Sequence, residues 1–393
     1  MLYALAQHSA LFKPLAGVSP RVFGAAATAF GLMLLIMPPL IRWLRRCKFG
    51  ESGAKGQGAV MVDAMREGKK GTPTMGGLGL VAAIGLSILL WCDLSEARPW
   101  VLLAGMLGFA TLGFLDDRSK IFKGSQGLSS TTKLVFQVLL ALGCGLALFV
   151  IGEHDKATLL TPDTIPAGFG EGFYKKELGA VDYTVRLAAH QLQLPFVPAE
   201  LALSLGWLII PWAAFVATSC ANGVNFTDGL DGLAGGTVFI AALAFTVIAY
   251  LVSRVDTADH LQVLYVSGGQ EVAVACAAIS GACLGFLWFN SAPAEVFMGD
   301  TGSQALGGTL GLAALMTKQE FLVLLVGAVF VAEALSVVIQ VIAFRGFGRR
   351  VFLCTPIHHH FQYLGWPESK VVIRFWIVAA LCALLALATL KLR

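Results

Sequence analysis

Ten long apolar runs dominate this chain of 393 residues and restrict it to a membrane. A spanning helix needs about 17 to 25 mainly apolar residues, and fewer where protein shields it. Only 13% of the residues are charged, against about 25% in soluble domains, so the chain has too few charged side chains to cover a water-facing surface. The sequence therefore predicts an all-α polytopic membrane protein. Its ten predicted transmembrane helices cover residues 23–44, 74–93, 100–115, 132–152, 201–219, 234–252, 271–289, 304–316, 321–344 and 372–390.

Lysine and arginine indicate the orientation, because they concentrate in the segments that follow odd-numbered runs. Short basic segments stay in the cytoplasm, so these segments are predicted to be cytoplasmic and both termini periplasmic. The first run lacks a small-residue cleavage site after a short core, which predicts a retained anchor. Residues 1–393 are read as one domain, with 152–200 as a polar periplasmic insertion that forms a short hairpin or a surface helix.

Composition also argues against nucleic acid as a partner and against a framework of disulfides. The net charge is only +4, and the basic residues do not surround aromatic platforms, so nucleic acid is not an expected partner. The eight cysteines are scattered without CxxC spacing. We therefore expect neither a disulfide framework nor a cysteine metal site.

Five aspartates lie in or beside polar loops on the predicted cytoplasmic side, namely Asp116, Asp117, Asp228, Asp231 and Asp300. A carboxylate beside a bilayer must be hydrated, paired or metal-bound, so five on one face predict a reactive site. Asp116 and Asp117 repel each other, and a bound cation or basic neighbours such as Lys120 and Lys133 would ease their ionisation. A solvated charge cluster at a helix end is the alternative for this pair.

The sequence NFTDGLDGLAGG holds Asn225, Asp228 and Asp231. If the stretch is helical, spacings of three place all three side chains near one face. The alternative is an interfacial loop in which Asn and Asp cap helices. The repeated DG favours the functional interpretation.

Asn290 and Asp300 bracket the sequence FNSAPAEVFMGD. Asp300 is a candidate magnesium ligand, since Mg²⁺ takes one or two protein carboxylates and leaves its other positions to water and phosphate oxygens. Phe297 lies in the polar loop, where its ring can stack on a nucleobase. A membrane-interface anchor is the alternative role for this ring.

The run TPIHHHF contains the only histidine cluster, His358, His359 and His360. Consecutive residues cannot all face one ion in regular structure and HExxH is absent, so hydrogen bonding to phosphate or hydroxyl groups fits better than zinc. Lys70, which precedes TPTMGG, either binds phosphate or only follows the positive-inside bias. Glu333 lies in the ninth run, where it either lines a groove or contacts a buried amide such as Gln340 or Gln137.

Carboxylates, lysines, a candidate stacking ring and histidines on one membrane face together predict phosphoryl transfer between a soluble nucleotide compound and a lipid. A transporter or lipid flippase is the first rival, but it would place ionisable residues near the midplane. A structural scaffold is the second rival, and it leaves the polar loops unexplained.

Five motifs carry a resemblance: GTPTMGG, FLDDRSK, NFTDGLDGLAGG, FNSAPAEVFMGDTGS and TPIHHHFQYLGWPESKVVIRFW. They resemble the signature loops of the phospho-N-acetylmuramoyl-pentapeptide transferase family, a branch of the polyprenyl-phosphate N-acetylhexosamine-1-phosphate transferases. The resemblance begins near residue 40 and excludes 152–200. The chain departs from the family pattern at Gln362, where glutamate is frequent, and in the length of 152–200.

The resemblance implies an enzyme of the bacterial cytoplasmic (inner) membrane that acts in peptidoglycan biosynthesis. It would transfer phospho-MurNAc-pentapeptide from UDP-MurNAc-pentapeptide to undecaprenyl phosphate, giving lipid I and UMP. The alternative is a transferase of UDP-GlcNAc or a related hexosamine phosphate, although the unbroken TPIHHHF run followed by GWPE is more similar to the muramoyl branch. Membrane lipid surrounds such an enzyme, and a homodimer is compatible with the family.

The resemblance also implies roles for individual residues. Asp300 would hold Mg²⁺ on the diphosphate, and Asp116 and Asp117 would lie beside the lipid phosphate, with one of them activating it. The remaining catalytic-centre residues would be Asn225, Asp228, Asn290 and Lys133, the uridine side would comprise Lys70, Asp231 and Phe297, and His358, His359 and His360 would complete the donor site. The sequence leaves open whether the transfer is direct or passes through a phospho-aspartate.

Overall fold

A computed structural model describes residues 1–8, 13–47, 71–123, 127–160, 173–178 and 181–392. Helices form most of this described structure. In chain order they are α1 Leu2–His8, α2 Val18–Arg46, α3 Gly77–Trp91, α4 Ala97–Lys123, α5 Ser130–Leu159, α6 Ile209–Thr227, α7 Leu233–Val252, α8 Val255–Leu261, α9 Gly269–Asn290, α10 Gly299–Met316, α11 Val323–Val326, α12 Ala328–Phe347, α13 Ile357–Tyr363 and α14 Glu368–Thr389.

Every one of the ten apolar runs coincides with a helix, because a chain in lipid must satisfy its backbone hydrogen bonds within each segment. Eight helices in the described chain are long and apolar enough to cross a membrane. They make this a multi-pass membrane protein. α3 is a shorter apolar helix, and the ninth run is divided at Gly327 into α11 and α12.

Two helices form the interior of the bundle. α9 packs mainly against α2 and α7, while α10 packs mainly against α4 and α6. Every residue of α10 from Thr301 to Met316 is buried. The first turn of α10, which contains Asp300, is therefore surrounded by other helices.

Two glycines allow these helices to come close to α10. A β-carbon added at Gly113 of α4 would lie 2.2 Å from the carbonyl oxygen of Asp300. One added at Gly77 of α3 would lie 2.2 Å from the backbone nitrogen of Gly302. Only glycine permits these approaches, and they bring the first residue of α3 and the middle of α4 against the start of α10.

The insertion at 152–200 contains short strands in its described part. Strand β1 (Phe173–Leu178) pairs antiparallel with β2 (Val181–Arg186), and β3 (Gln191–Leu192) pairs antiparallel with β4 (Leu203–Ser204). Helix α5 extends to Leu159, so the first residues of the 152–200 region continue this helix. The structure thus has the hairpin that was one of the two expected forms.

Candidate active site

Asp117 caps the first turn of α10. One of its carboxylate oxygens accepts the backbone N–H of Asp300 at 3.1 Å, and the other accepts the backbone N–H and the hydroxyl of Thr301 at 2.9 and 2.7 Å. The first N–H groups of a helix have no partner within the helix, and the helix dipole favours an anion there. Asp117 is only 4% exposed, so this carboxylate is committed to holding α10 and Asp300 in place.

The Asp300 carboxylate receives hydrogen bonds from three other helices. Lys133 of α5 contributes its Nζ at 2.5 Å, Lys120 of α4 lies at 3.1 Å, and Asn225 of α6 donates its Nδ2 at 3.0 Å. Gln304, one turn along α10, adds a longer contact of 3.4 Å. The charge of Asp300 is therefore balanced from several directions in a largely buried position.

Asp116 shares both lysines with Asp300. Its Oδ2 lies 2.7 Å from Lys120 Nζ and 3.6 Å from Lys133 Nζ, while its Oδ1 accepts the backbone N–H of Leu128 at 2.7 Å. Two carboxylates and two ammonium groups thus form one compact cluster.

These carboxylates fit a magnesium ion that also binds phosphate. The described residues contain no group of three or more His, Cys, Asp and Glu side chains arranged to hold a metal. Mg²⁺ does not need such a cage, since one or two carboxylates plus water and phosphate oxygens complete its shell. The oxygens of Asp300 and Asp116 that contact Lys120 and Lys133 are ligands of the type that Mg²⁺ takes.

A second set of contacts joins the two loops that follow α6 and α9. Asn290 accepts the backbone N–H of Gly232 at 3.0 Å and donates to the carbonyl oxygen of Val296 at 2.9 Å. The Asp231 carboxylate accepts the N–H of Ala294 at 3.1 Å. The amide of Asn290 and the carboxylate of Asp231 therefore set the shape of these loops.

The three histidines lie on α13 and have three different partners. His358 is buried with its Nδ1 3.1 Å from the carboxylate of Glu333. His359 lies 2.7 Å from Gln362, and His360 accepts the backbone N–H of Leu353 at 3.2 Å. They do not converge on a common point, as expected for consecutive residues.

The His358 ring also contacts the loop after α6. A β-carbon added at Gly229 would lie 2.3 Å from its Nε2, and this nitrogen has no hydrogen-bond partner among the described residues. Gly229 lies between Asp228 and Asp231. The Glu333–His358 pair thus directs an imidazole nitrogen at the aspartate-containing loop.

The comparisons with known proteins agree with this geometry. A family model described as Glycosyl transferase family 4 matches residues 99–318, which is more than half of the chain. A phospho-N-acetylmuramoyl-pentapeptide-transferase of Gemmatimonas aurantiaca is 42% identical, with 100% of this chain and 99% of the relative covered. One from Desulfosudis oleivorans is 40% identical, again covering 100% of this chain and 99% of the relative.

The chain belongs to the phospho-N-acetylmuramoyl-pentapeptide transferase family. The family match at 99–318 contains the cluster from Asp116 to Asp300, and the full-length relatives extend it over the histidines. This transferase chain brings Asp116, Asp117, Lys133, Asn225 and Asp300 together.

Other predicted residues lie around the cluster. Asp228 directly follows α6 and caps it, with its N–H donated to the carbonyl oxygen of Asn225 at 3.3 Å. Phe297 is half-buried, and its backbone pairs with Pro73 and Gly76, so its loop is held against the TPTMGG loop. Lys70 lies outside the described residues.

The structure corrects one expectation about these loops and decides between two alternatives for another. Asp116 and Asp117 belong to α4, which continues to Lys123 where the sequence predicted a loop. Asp231 does not share a helical face with Asn225, because α6 ends at Thr227. The glycine-rich turn that follows α6 carries Asp231 to Ala294 instead.

Sequence reasoning named Lys120 only as a basic neighbour of the Asp116–Asp117 pair, and it did not assign Gln304 to the site. Each lies four residues after a predicted aspartate, Lys120 after Asp116 and Gln304 after Asp300. On a helix that spacing brings two side chains to the same face. The signal was present, but it is readable only once the helices are known to continue through these aspartates.

Proposed function

We propose that this chain transfers phospho-MurNAc-pentapeptide from UDP-MurNAc-pentapeptide to undecaprenyl phosphate, giving lipid I and UMP. The observation that carries the proposal is the cluster of Asp116 and Asp300 with Lys120 and Lys133 at the end of apolar helices. A lipid acceptor accounts for the membrane bundle, and a diphosphate donor accounts for the cationic groups. The relatives that match over their full length bear the name of this transferase.

In the proposed reaction, an oxygen of the lipid phosphate attacks the sugar-linked phosphorus of the donor. The bond from that phosphorus to the bridging oxygen breaks, and UMP leaves with the bond's electron pair. A phosphate monoester has a second pKa near 6 and is mostly dianionic at neutral pH, so a strong general base is not required. Positioning and charge neutralisation by Lys120 and Lys133 therefore contribute most of the lowering of the activation barrier.

The aspartates divide between support and substrate contact. Asp117 is occupied with the N–H groups of Asp300 and Thr301, so we assign Asp116 to the lipid phosphate. Asp300, with Asp116 beside it, would hold Mg²⁺, and the bound ion would neutralise diphosphate charge. Asn225 and Lys133 keep the Asp300 carboxylate oriented.

The ranking of the two carboxylates is testable with purified variants. At saturating Mg²⁺, Asp300→Asn should lose more turnover than Asp116→Asn, because Asp300 has more contacts in the cluster and is the proposed metal ligand. UMP release measures both. Comparable residual turnover in the two variants would contradict this ranking, and full activity after complete chelation of Mg²⁺ would contradict the metal.

Donor identity and reaction class are tested separately. Radiolabelled UDP-MurNAc-pentapeptide and UDP-GlcNAc are offered with undecaprenyl phosphate, and the extracted lipid is counted. We expect label in lipid only from the muramoyl donor. UMP release by detergent-solubilised protein without vesicles excludes pure transport, whereas label transferred from UDP-GlcNAc alone would favour the hexosamine alternative.

We also propose that the site faces the cytoplasm of the bacterial inner membrane, with both termini periplasmic. Cys47, at the end of α2, is exposed and lies on the proposed cytoplasmic side. A membrane-impermeant maleimide should label it in inverted vesicles and leave it unlabelled in spheroplasts. Native mass spectrometry of the purified protein tests the homodimer that the family resemblance allows.

A further inference from the structure

Three amide side chains form a row inside the bundle behind Asp300. Gln304 of α10 donates to Asp300 Oδ2 at 3.4 Å, Gln137 of α5 donates to Gln304 at 3.1 Å, and Asn222 of α6 donates to Gln137 at 2.9 Å. Gln304 and Gln137 have no exposed surface, and Asn222 is half-buried. The row joins three helices to one carboxylate.

The two ends of the row fix its direction. An ionised carboxylate only accepts hydrogen bonds, so Gln304 must turn its NH₂ group toward Asp300 and its oxygen toward Gln137. Gln137 must then turn its NH₂ group toward Gln304 and its oxygen toward Asn222. At the far end, the Asn222 NH₂ group also donates to the carbonyl oxygen of Thr218 at 2.9 Å. Both ends require the same direction.

Each amide in the row therefore donates toward Asp300. Gln137 Nε2 also donates back to Asn222 Oδ1 at the longer distance of 3.4 Å, so this one pair is reciprocal. Hydrogen bonds arranged head to tail polarise one another, and their aligned dipoles favour a negative charge at the accepting end. Amides buried among apolar helices are costly without such partners. Polar contacts that only joined helices would not need to end on an ionised group.

We propose that Asn222, Gln137 and Gln304 are positioning residues that hold the Asp300 carboxylate in the orientation required for transfer. They act through Asp300 and are not catalytic residues themselves. The inference rests on the proposed function, because it assigns a task to the carboxylate that the proposed reaction uses. The site thus extends from Asp300 along these three side chains into the interior of the bundle.

Gln137→Met is the variant that tests the row, because methionine is similar in size and neither donates to Gln304 nor strongly accepts from Asn222. Thr218→Val is the matched control. Thr218 lies one turn from Asn222, and its buried hydroxyl has no hydrogen-bond partner among the described residues. Both variants change a buried polar side chain to an apolar one of similar shape, and only Gln137→Met interrupts the row.

Two readouts are measured on the full-length protein in detergent. The first is kcat and the donor KM for UMP release, and the second is the rise in melting temperature on adding Mg²⁺. Gln137→Met should lower kcat by about 10 to 100-fold, the range for partners that orient ligand carboxylates. Its donor KM should stay near the wild-type value, and its Mg²⁺-dependent rise in melting temperature should shrink. Thr218→Val should match the wild type in both readouts.

A double variant tests whether the row acts as a unit. Gln137→Met, Gln304→Met and the double variant should show similar losses of kcat, since interrupting a single chain twice adds little. Losses that multiply in the double variant would overturn the inference. Wild-type kcat in Gln137→Met, or an equal loss in Thr218→Val, would overturn it as well.

Failure of the proposed function is distinguishable from failure of the row. Wild-type protein that releases no UMP would contradict the function, while the Mg²⁺-dependent melting temperatures would still report on the row. If Gln137→Met does not fold, Asn222→Leu interrupts the row at its half-buried end, and the same two readouts apply. An Asn222→Leu variant with wild-type values in both would overturn the proposal.

Discussion

Replacing Asp117 with asparagine tests whether this carboxylate stabilises the first turn of α10 or takes part in the reaction. The carboxylate accepts three hydrogen bonds, one from Asp300 and two from Thr301. Asparagine has one acceptor oxygen, so its NH₂ group must face an N–H donor on at least one side. A lost hydrogen bond to a charged group costs about 1.5 to 3 kcal/mol, and the remaining bonds weaken. We therefore expect Asp117→Asn to lower the free energy of unfolding by about 2 to 4 kcal/mol.

Asp116→Asn is the control for this change. Its main ionic partner, Lys120, has a side chain that is 43% exposed, and the amide oxygen of asparagine can still accept the N–H of Leu128. Loss of the ion pair should therefore change stability by less than about 1 kcal/mol. Thermal unfolding of the two purified variants, measured beside turnover, compares them. We expect both to lose activity and only Asp117→Asn to lose stability. An Asp117→Asn protein with wild-type unfolding and no turnover would refute the capping role.

Two further predictions concern the surroundings of the cluster. Lys133→Met should reduce turnover more than Lys120→Met. The Lys133 side chain is 15% exposed and the Lys120 side chain 43% exposed, and water screens the more exposed ion pair. Initial rates at saturating substrates compare the two variants, and equal losses would contradict this order. Gly113→Ala should remove most turnover, since its methyl group would lie 2.2 Å from the carbonyl oxygen of Asp300. Gly143→Ala, where a β-carbon meets nothing within 4 Å, should keep the wild-type rate, and a similar rate in both would contradict the close approach.

The helices and most members of the cluster were predictable from sequence because both depend on local patterns. Apolar runs of sufficient length form helices in lipid regardless of their partners. Lys133 and Asp300 stood out because ionisable groups at the ends of apolar runs require a partner. Their contact at 2.5 Å shows that α5 and α10 begin side by side.

The roles of buried polar groups were not predictable, because their partners lie far away in sequence. Asp117 caps a turn 184 residues later, and no local signal distinguishes it from Asp116. Of the two alternatives for Glu333, the contact with Gln340 or Gln137 is not the one that the structure has. Glu333 lies beside His358, while Gln340 binds the backbone of Val351 and Phe352.

The burial of α10 has a consequence for how the protein is made. This helix carries Asp300 and is not among the eight that are apolar enough to cross a membrane by themselves. Transfer of this helix alone from the translocon into lipid is therefore less favourable than transfer of those eight. We expect α10 to enter the bilayer only when α4 and α6, which are synthesised earlier, are already there to receive it. Assembly of the active site and membrane insertion of its central helix would then be one event.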